Sequence, residues 1–578
     1  MSRNYWILVL IVSLLEGCYV AATSNLRAVG KESAVSSPRV LQNDLPSFNW
    51  TLPEYSLDAI GNTTSPQSLA FEWLTTSFSK DDLDAMPEWR QKQLFALAAF
   101  YYALNGDSWG NSHKQNWLDP DLPECDWATE DVDPGDGERV MIECTTAGAV
   151  KSLKLIFFEI PLTGTIAPEV NLLSSLTFMD FAWSGLMGLL DDVVPFAHLA
   201  SHPTLDTLGL DRNMFIGTIP SEVGLLTRLK SLDLAFNAAN RPPRPGLTGT
   251  IPAEMSLMES LTFLNMAGNS FSGVLPTDIG SMTALSILDV AFNNFEGPLP
   301  SELGLLASSL EVLSVHSNEF SGSLPTEIYL LTNLTNLELE SNNFKGTISS
   351  KIGALSNLVS LELNNNGFIG SLPSQIGTLS NLKGFILKVN NMTSSIPSEI
   401  GLLSSLEVLA LEGNGFADVI PTTVGLLANL QTFAVAGNSF TGTFPSEVAS
   451  MTSLENFYLY VNAFSGPVLD ELSLLKNLTR VDLTYNLFSG TIPTTFGLLT
   501  KLEMLRLSEN SFSGSIPSEL GLLTNLKELF LEGNSLSGEV PSSICDLIKD
   551  GDLAPIKLDC GSNSSLLVCP DDCVCECL

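Results

Sequence analysis

The 578-residue chain is poor in positive charge and in groups that carry catalysis. It has 27 Lys and Arg against 64 Asp and Glu, a formal net charge of −37 at pH 7, and only four His. Such a surface repels phosphates and anionic headgroups, which argues against nucleic acid and anionic membranes as partners. The sequence has no Gly-x-Ser-x-Gly elbow, phosphate loop or dinucleotide-binding glycine motif. It therefore predicts no enzyme, no catalytic residue and no cofactor.

One pair of histidines has the spacing of a two-His metal site. His198 and His202 stand four residues apart, but the Glu of the zinc-protease motif and a third ligand are missing. We interpret them as surface polar residues in an irregular stretch, and predict no metal. Hydrolase or metal-dependent activity through this pair is the third functional hypothesis.

Long apolar runs are also scarce. The run Trp6–Leu15 follows Arg3 and precedes small residues that end at Ala22, which predicts a signal peptide over residues 1–22. Glu16 makes the run too short for a bilayer span, and no second run follows it. We therefore predict no direct membrane insertion after signal removal. Lipidation at Cys18 is an alternative, but Glu is a poor fit to the lipoprotein motif.

Cysteine is absent from the middle of the chain. After loss of Cys18, eight remain, and a secreted chain is expected to pair them as disulfides. Six of them lie at the C-terminus and allow fifteen pairings, among which the sequence does not choose. A thiophilic metal held by the last four is the alternative. The eight are Cys125, Cys144, Cys545, Cys560, Cys569, Cys573, Cys575 and Cys577.

The dominant positive feature is an asparagine that returns about every 24 residues. Only two steps of the series depart from 24, one by eight residues and one by a single residue. A fixed period in the twenties is typical of a solenoid, whose units bury their apolar faces against one another. The series is Asn213, Asn237, Asn269, Asn293, Asn318, Asn342, Asn366, Asn390, Asn414, Asn438, Asn462, Asn486, Asn510 and Asn534.

Each unit combines a short strand with one helical turn. Leu229, Leu232 and Leu234 alternate with polar residues before Asn237, which predicts a strand with one buried face. The Asn amide is predicted to satisfy backbone groups that the turning chain buries. An aromatic two residues after the Asn predicts a stacked apolar spine. A Gly, an Ile/Leu-Pro pair and a single helical turn complete the unit.

The unit LxxLxLxxNxFxGxIPxxxGxLxx resembles the plant-type extracellular leucine-rich repeat, as in polygalacturonase-inhibiting proteins and receptor-kinase ectodomains. The match covers about residues 150–545, and no kinase domain follows it. The resemblance implies an α/β solenoid, a right-handed superhelix with a concave parallel β-sheet, about 16 repeats and disulfide-bonded caps. It also implies a cap helix from Pro87 to Leu104 and a Cys125–Cys144 disulfide. The predicted segments are a signal peptide 1–22, a flexible leader 23–86, an N-terminal cap 87–149, the solenoid 150–544 and a Cys-rich cap 545–578.

Six Asn-x-Ser/Thr motifs predict glycosylation in a secretory pathway. They lie at Asn49, Asn62, Asn333, Asn391, Asn477 and Asn563.

The concave face is the predicted binding surface, because its side chains vary while the scaffold repeats. Its C-terminal third carries large mixed side chains that suit a partner interface. An acidic stripe on the rest of the face favours a cationic or hydroxyl-rich partner. The predicted partner-binding residues are Tyr458, Tyr460, Arg480, Asp482, Tyr485, Arg506 and Glu509, and the stripe comprises Asp211, Asp233, Asp289, Glu338, Glu362 and Glu412.

These features lead to two main functional hypotheses. The first is a secreted, extracellular glycoprotein that binds a protein, peptide or glycan without catalysis. By resemblance, the partner could be a peptide, a cell-surface receptor or a wall-degrading enzyme, and an anchored co-receptor is left open. The second is a structural or adhesive component of the extracellular matrix or cell wall.

Overall fold

The structure, a computed structural model, describes residues 52–60, 62–109, 116–127, 139–156, 161–240, 243–549, 553–559, 567–570 and 573–577. The predicted signal peptide, Asn49, Cys560 and Asn563 lie outside these ranges. Within them, the chain forms a leucine-rich repeat solenoid, as the sequence predicts.

One short strand from each of sixteen repeats builds the concave parallel sheet. Equivalent residues pair in register, for example Leu337 with Leu361, because the extra residues of the longer repeats lie between strands and not within them. We call these the inner strands. They are Val150–Ile156, Phe178–Asp180, Thr207–Gly209, Ser231–Asp233, Phe263–Asn265, Ile287–Asp289, Val312–Ser314, Asn336–Glu338, Ser360–Glu362, Gly384–Ile386, Val408–Ala410, Thr432–Ala434, Asn456–Tyr458, Arg480–Asp482, Met504–Arg506 and Glu528–Phe530. Three cap strands extend this sheet to 19 strands: Arg139–Cys144, Ile556–Leu558 and Cys575–Cys577.

There is a second parallel sheet of 13 strands, most of which contain the aromatic position of their repeat. Its strands are Thr248–Gly249, Ser270–Gly273, Asn294–Gly297, Glu319–Gly322, Asn343–Thr347, Gly367–Gly370, Asn391–Ser394, Gly415–Asp418, Ser439–Gly442, Ala463–Pro467, Leu487–Gly490, Ser511–Gly514 and Ser535–Leu536. Three short pairs accompany it: Met187–Leu189 with Met214–Ile216, Gly538–Glu539 with Leu567–Val568, and Ala239–Asn240 with Pro243–Arg244.

The single helical turn predicted after each Pro is a 3₁₀-helix. Most of these helices have five residues, since i to i+3 bonding is favourable only over short runs. In the repeats they are Pro168–Leu172, Ser221–Leu225, Ala253–Leu257, Thr277–Ser281, Ser301–Leu306, Thr326–Leu330, Ser350–Ala354, Ser374–Thr378, Ser398–Leu402, Thr422–Leu426, Ser446–Ser450, Asp470–Leu474, Thr494–Leu498 and Ser518–Leu522. Two more, Gly106–Ser108 and Glu124–Asp126, lie in the N-terminal cap.

The aromatic residues form the predicted spine. Phe344 is fully buried, and its ring lies 6.1 Å from that of Phe320 and 6.3 Å from that of Phe368, with near-parallel planes. Rings that bury this much surface and stack on each other stabilise the contact between neighbouring repeats. The prediction of a core role for these residues is confirmed.

The asparagines form a continuous ladder, also as predicted. The Nδ2 atom of Asn342 donates to the carbonyls of Leu339 and Glu340 in its own turn, and to that of Val315 in the preceding repeat. Its Oδ1 accepts the backbone N–H of Phe320 at 2.9 Å. One amide thus satisfies four backbone groups across two repeats, which explains why the strand turns at an Asn.

The prediction of a flexible leader over residues 23–86 is wrong for its C-terminal part. This part forms helices α1 (Glu54–Ile60), α2 (Pro66–Ser77) and α3 (Lys80–Ala85), which precede the predicted cap helix α4 (Glu88–Ala103). Helix α2 buries Ala70 and Leu74, and the Trp73 ring packs edge-on against Trp127 at 5.5 Å. The helices are ordered because their apolar side chains find partners in the cap.

Both ends of the sheet are closed. At the N-terminus, Arg139–Cys144 pairs antiparallel with the first inner strand, and a disulfide joins Cys125 to Cys144. This pairing covers the edge of the first inner strand, which would otherwise be free to pair with another chain. At the C-terminus, the last helix (Ser542–Lys549) covers the last repeat, and disulfides join Cys545 to Cys573 and Cys569 to Cys575.

Two short helices, α5 (Leu190–Val193) and α6 (Phe196–Leu199), interrupt the second repeat, so the helix at Ser542–Lys549 is α7.

Two repeats carry a side chain where the others use a turn glycine. Ser394 and Asp418 have φ of 70° and 69°, in the left-handed region that costs an L-residue about 1 kcal/mol or more. We expect the double variant Ser394→Gly and Asp418→Gly to raise the free energy of unfolding by about 1 kcal/mol, after the entropy cost of glycine. Chemical denaturation measures it, and Gly370→Ser, at a turn glycine with φ of 81°, should have the opposite effect. Equal stability of all three proteins would contradict the strain.

Candidate partner-binding surface

The inner strands arrange their exposed side chains in rows along the solenoid. The first row contains the first residue of each three-residue strand, and the second row contains the last. The third and fourth rows contain the residues two and three positions after the second. Because the register is parallel, row neighbours come from successive repeats about 4.8 Å apart. Tyr458, Asp482, Arg506 and Phe530 are successive members of the second row.

Arg506 is the centre of a group of side chains at the C-terminal end of this surface. Its guanidinium donates to Glu528 Oε2 at 2.6 Å and contacts Asp482 Oδ2 at 3.5 Å. It also lies 5.1 Å from the Phe530 ring centroid, and Lys557 Nζ lies 4.6 Å from that ring on its cap side. Burial acts to lower the pKa of Arg506, but its bonds to the two carboxylates raise it overall. The guanidinium is therefore held in one place.

Two tyrosines and a second arginine lie beside this network. Tyr458 is half-buried in the second row, and Tyr460 is 37% exposed in the third. Burial, reinforced by Glu412 and Asp482, raises the pKa of Tyr460, so its hydroxyl keeps its proton and remains a donor. Arg480 is exposed in the first row. We call Tyr458, Tyr460, Arg480, Asp482, Arg506, Glu528 and Phe530 the C-terminal cluster.

The other two predicted residues lie at the margin of this cluster. Tyr485 and Glu509 belong to the fourth row, where the backbone turns with φ of 53° and 54°. Both side chains are exposed, Tyr485 by 57%. Asp482, by contrast, is buried, and its Oδ1 accepts the backbone N–H of Thr484. Asp482 therefore holds Arg506 in position and does not present a free carboxylate to a ligand.

The sequence analysis missed Glu528, Phe530 and Lys557. Phe530 follows Arg506 in the second row and Lys557 pairs with it in the cap, so extending the row by one repeat would have found both. Glu528 occupies the same strand position as Arg480. No sequence signal shows that it binds Arg506.

Small residues separate the cluster from the acidic stripe. Ala410 and Ala434 occupy the second row, and Ala436 the third, all buried. Gly413 and Gly437 follow in the fourth row. With so little side chain above the strands, a ligand backbone can approach the sheet between Tyr460 and Glu412.

The acidic stripe lies in two rows. Asp233, Asp289, Glu338 and Glu362 belong to the second row, whereas Asp211 and Glu412 belong to the third, together with Glu340, which the sequence analysis did not select. Burial, reinforced by Asp211, raises the pKa of Asp233 to about 7. Burial also raises the pKa of Glu340 to about 7, with Glu362 and Glu338 adding to it. His316 Nδ1 lies 3.4 Å from Glu340 Oε1. The stripe therefore gains negative charge as pH rises through neutrality.

The interpretation of His202 as a surface residue is wrong. Its side chain is buried, and its Nδ1 accepts the backbone N–H groups of Thr204 and Leu205 at 3.3 and 3.1 Å. Burial lowers the pKa of His202 to about 4, so the ring is neutral near pH 7. It ends a turn by capping backbone donors. The ring of His198 packs edge-on against Tyr55 at 4.8 Å.

One group of three side chains in the described ranges has metal-ligand spacing: Cys569, Cys573 and Cys575. All three sulfurs are already paired in disulfides. Since zinc and similar ions need thiolates, these sulfurs are not available as ligands. Cys560 and the side chain of Cys577 lie outside what the structure describes, so their predicted disulfide bonding stays a prediction.

Four of the six glycosylation motifs lie in described segments. Asn62, Asn333 and Asn391 are exposed, and Asn477 is half-buried. The Nδ2 of Asn333 donates to Ser308 O and that of Asn477 to Thr452 O, at 2.9 and 3.0 Å. Glycosylation at these positions stays a prediction. No helix within the described ranges combines the length and apolarity that a bilayer crossing requires.

The stacked repeats, the asparagine ladder and the parallel inner sheet define a leucine-rich repeat domain. Family models agree: the model described as Leucine rich repeat matches residues 476–536, and a second Leucine Rich Repeat model matches residues 260–282 and 357–379. No curated protein matches the sequence at a significant level.

Solved structures identify the branch of the family. The plant peptide hormone receptor RGFR1, solved in complex with RGF2, is 30% identical, with a TM-score of 0.66 over 74% of this chain and 68% of that one. The Arabidopsis receptor kinase HAESA, solved with the peptide hormone IDA and the co-receptor SERK1, is 26% identical, with a TM-score of 0.63 over 79% and 83%. A TDR receptor is 27% identical, with a TM-score of 0.60 over 73% and 75%. The chain belongs to the plant-type leucine-rich repeat family.

Proposed function

We propose that the protein is a secreted, glycosylated, extracellular recognition protein that binds a peptide, or an extended segment of another protein, on its concave surface without catalysis. The observation that carries this proposal is the C-terminal cluster. It joins an exposed tyrosine and an exposed arginine, Tyr460 and Arg480, to a fixed ion-pair network, directly beside a strip of small residues. Tyrosine and arginine are enriched at binding hot spots because they bury much surface and make directional bonds.

The surface also limits the chemistry of the ligand. Main-chain groups of an extended peptide fit over Ala410, Ala434 and Ala436, where the sheet is bare of long side chains. Arg480 and Tyr460 offer donors to a ligand carboxylate or carbonyl at one end. At the other end the acidic stripe favours a cationic or hydroxyl-rich group. We propose that the ligand lies along the rows, with its negative end at the cluster and its positive end at the stripe.

The resemblance to receptor ectodomains supports a peptide before a glycan. RGFR1 is named as a peptide hormone receptor, and HAESA was solved with the peptide hormone IDA. An anchored co-receptor, as SERK1 is named for HAESA, is a second element of this proposal. The alternative role in the matrix or cell wall requires no partner patch, and the experiment below separates the two.

The test uses a displayed library of random 12-residue peptides selected against the intact protein. We expect the triple variant Tyr458→Ala, Tyr460→Ala and Arg480→Ala to bind the selected peptides at least 30-fold more weakly, since hot-spot truncation costs about 2 kcal/mol or more. A matched control is Arg228→Ala with Lys351→Ala, two exposed cations outside the inner strands.

Equal peptide binding by the triple variant and the control would contradict the site. Failure to select any peptide, together with retention of the protein in a salt-washed wall fraction, would contradict the recognition function and support the matrix role. Thermal unfolding of both variants should stay within a few degrees of the wild type, because all the changed side chains are partly or fully exposed.

A further inference from the structure

A row of exposed leucines follows the 3₁₀-helices, outside the concave surface. Each of these leucines lies at or next to the C-terminal end of its helix and is between 50% and 64% exposed. We call this row the leucine ridge. It consists of Leu225, Leu257, Leu305, Leu330, Leu402, Leu426, Leu474, Leu498 and Leu522.

The solenoid does not need these side chains for its core. The residue that follows each of them, a leucine in eight helices and Met258 in one, is the core residue: Leu403 and Leu499, for example, are buried next to the exposed Leu402 and Leu498. Four repeats carry Ser281, Ala354, Thr378 or Ser450 in the ridge position and form the same helix. Single exposed apolar side chains are normal on a protein surface, whereas a contiguous set of them marks an interaction surface.

A row of carboxylates borders the ridge. In seven of the nine ridge helices, a Glu stands three residues before the ridge leucine, as in Glu471 before Leu474 and Glu519 before Leu522. Residues i and i+3 of a 3₁₀-helix lie one above the other, so the Glu and the Leu share a face. The ridge therefore presents an apolar stripe with an anionic border.

The first repeat shows what fits this arrangement. Glu169 and Leu172 occupy the same two positions in the helix Pro168–Leu172, but here both are covered. Glu169 is fully buried and accepts hydrogen bonds from Ser56 of α1 at 2.7 Å and Gln67 of α2 at 3.1 Å. Leu172 is packed against the core cluster and is only partly exposed. The chain's own helices α1 and α2 thus cover the start of the row and leave the rest open.

We propose that the leucine ridge docks an amphipathic α-helix of a partner protein whose apolar face is bordered by Lys or Arg. The continuity with α1 and α2 favours a helix, and the glutamates favour basic borders. A second copy of this chain is a poor occupant, because its net charge of −37 would bring two anionic surfaces together. The ridge lies on the 3₁₀-helices and the C-terminal cluster on the inner strands, so variants at one surface leave the side chains of the other in place.

The probe is a fluorescein-labelled 18-residue peptide of Leu and Lys, with its leucines on one helical face. The ridge variant is Leu474→Ser, Leu498→Ser and Leu522→Ser, from the longest unbroken part of the ridge. The control variant is Val274→Ser, Ile369→Ser and Val419→Ser, three similarly exposed apolar residues that lie in or directly after strands of the second sheet and not on the 3₁₀-helices. By fluorescence anisotropy, we expect the ridge variant to bind at least tenfold more weakly than the wild type, and the control variant to bind as the wild type does.

Further variants and a control peptide separate the electrostatic contribution to binding from the apolar one. Glu471→Gln with Glu519→Gln should weaken binding and reduce its salt dependence, and a peptide with the same composition but dispersed leucines should bind weakly to every protein. The C-terminal cluster variant Tyr458→Ala, Tyr460→Ala and Arg480→Ala should bind the probe normally. Equal binding by the ridge and control variants would overturn the proposal. So would a concentration-dependent dimer in sedimentation equilibrium that the ridge variant abolishes, because the ridge would then serve self-association.

Discussion

Asn342→Ala is expected to lower the free energy of unfolding by about 2–4 kcal/mol. The substitution removes three donated bonds and one accepted bond, and leaves the buried backbone N–H of Phe320 without a partner. The three carbonyls each keep one donor, from Asn318, Asn366 and the backbone N–H of Ser317. One buried polar group left unsatisfied costs about 1–3 kcal/mol, and the lost bonds to carbonyls that keep another donor add about 1 kcal/mol. Chemical denaturation followed by circular dichroism measures the loss.

The neighbouring residue provides the control. Asn343 is exposed in the adjacent strand, so Asn343→Ala should change stability by less than about 0.5 kcal/mol. Because repeats contact only their neighbours, faster hydrogen exchange should concentrate in the repeats around Asn318 and Asn342. A loss of under about 1 kcal/mol, or a uniform increase in exchange, would show that the ladder is not what joins the repeats.

The second large effect is a loss of stability as pH rises from about 4 to about 7. In this window Asp233 and Glu340 keep their protons in the folded protein, since the pKa of each is about 7. The unfolded chain loses those protons near pH 4. The folded state therefore binds more protons across the window, and the contribution of these groups to stability is present at pH 4 and lost by pH 8.

The size of this effect follows from the shifts. At about 1.4 kcal/mol per pKa unit, Asp233 contributes about 4 kcal/mol, and Glu340, which is more exposed to solvent screening, about 1–2 kcal/mol. The variant Asp233→Asn with Glu340→Gln should remove this dependence and be more stable than the wild type at pH 8. Urea denaturation at pH 4.5, 6 and 8 tests it, with Glu222→Gln, at a partly exposed carboxylate on a 3₁₀-helix, as the control. Parallel curves for variant and wild type would contradict the assignment.

The C-terminal cluster shows which properties of the candidate binding surface can be predicted from the sequence. Position in the repeat identified Tyr458, Tyr460, Arg480 and Arg506 as inner-strand residues, because side-chain direction in a strand follows the register. The same reasoning could not separate the exposed Arg480 from the buried Asp482. That difference depends on which neighbours, about a repeat away along the chain, cover each side chain.

The N-terminal helices show a second limit. Residues 54–85 have little periodicity, and their order comes from contacts with the cap and the first repeat, such as the bond from Ser56 to Glu169, 113 residues away. His202 is a similar case, since its burial comes from packing in the interrupted second repeat. Local sequence patterns do not record contacts of this kind.

The repeated sequence by itself determined the solenoid, its sixteen inner strands, its aromatic spine and its asparagine ladder. Each unit can bury its apolar face only against a neighbouring unit of the same kind, so the fixed repeat period predicts the solenoid fold. The tertiary structure alone decided which carboxylates hold protons, which arginine is fixed by ion pairs, and which leucines stay uncovered. Those properties depend on the desolvation and charge that neighbouring repeats and the caps impose, and these are set by distance in space and not by position in the chain.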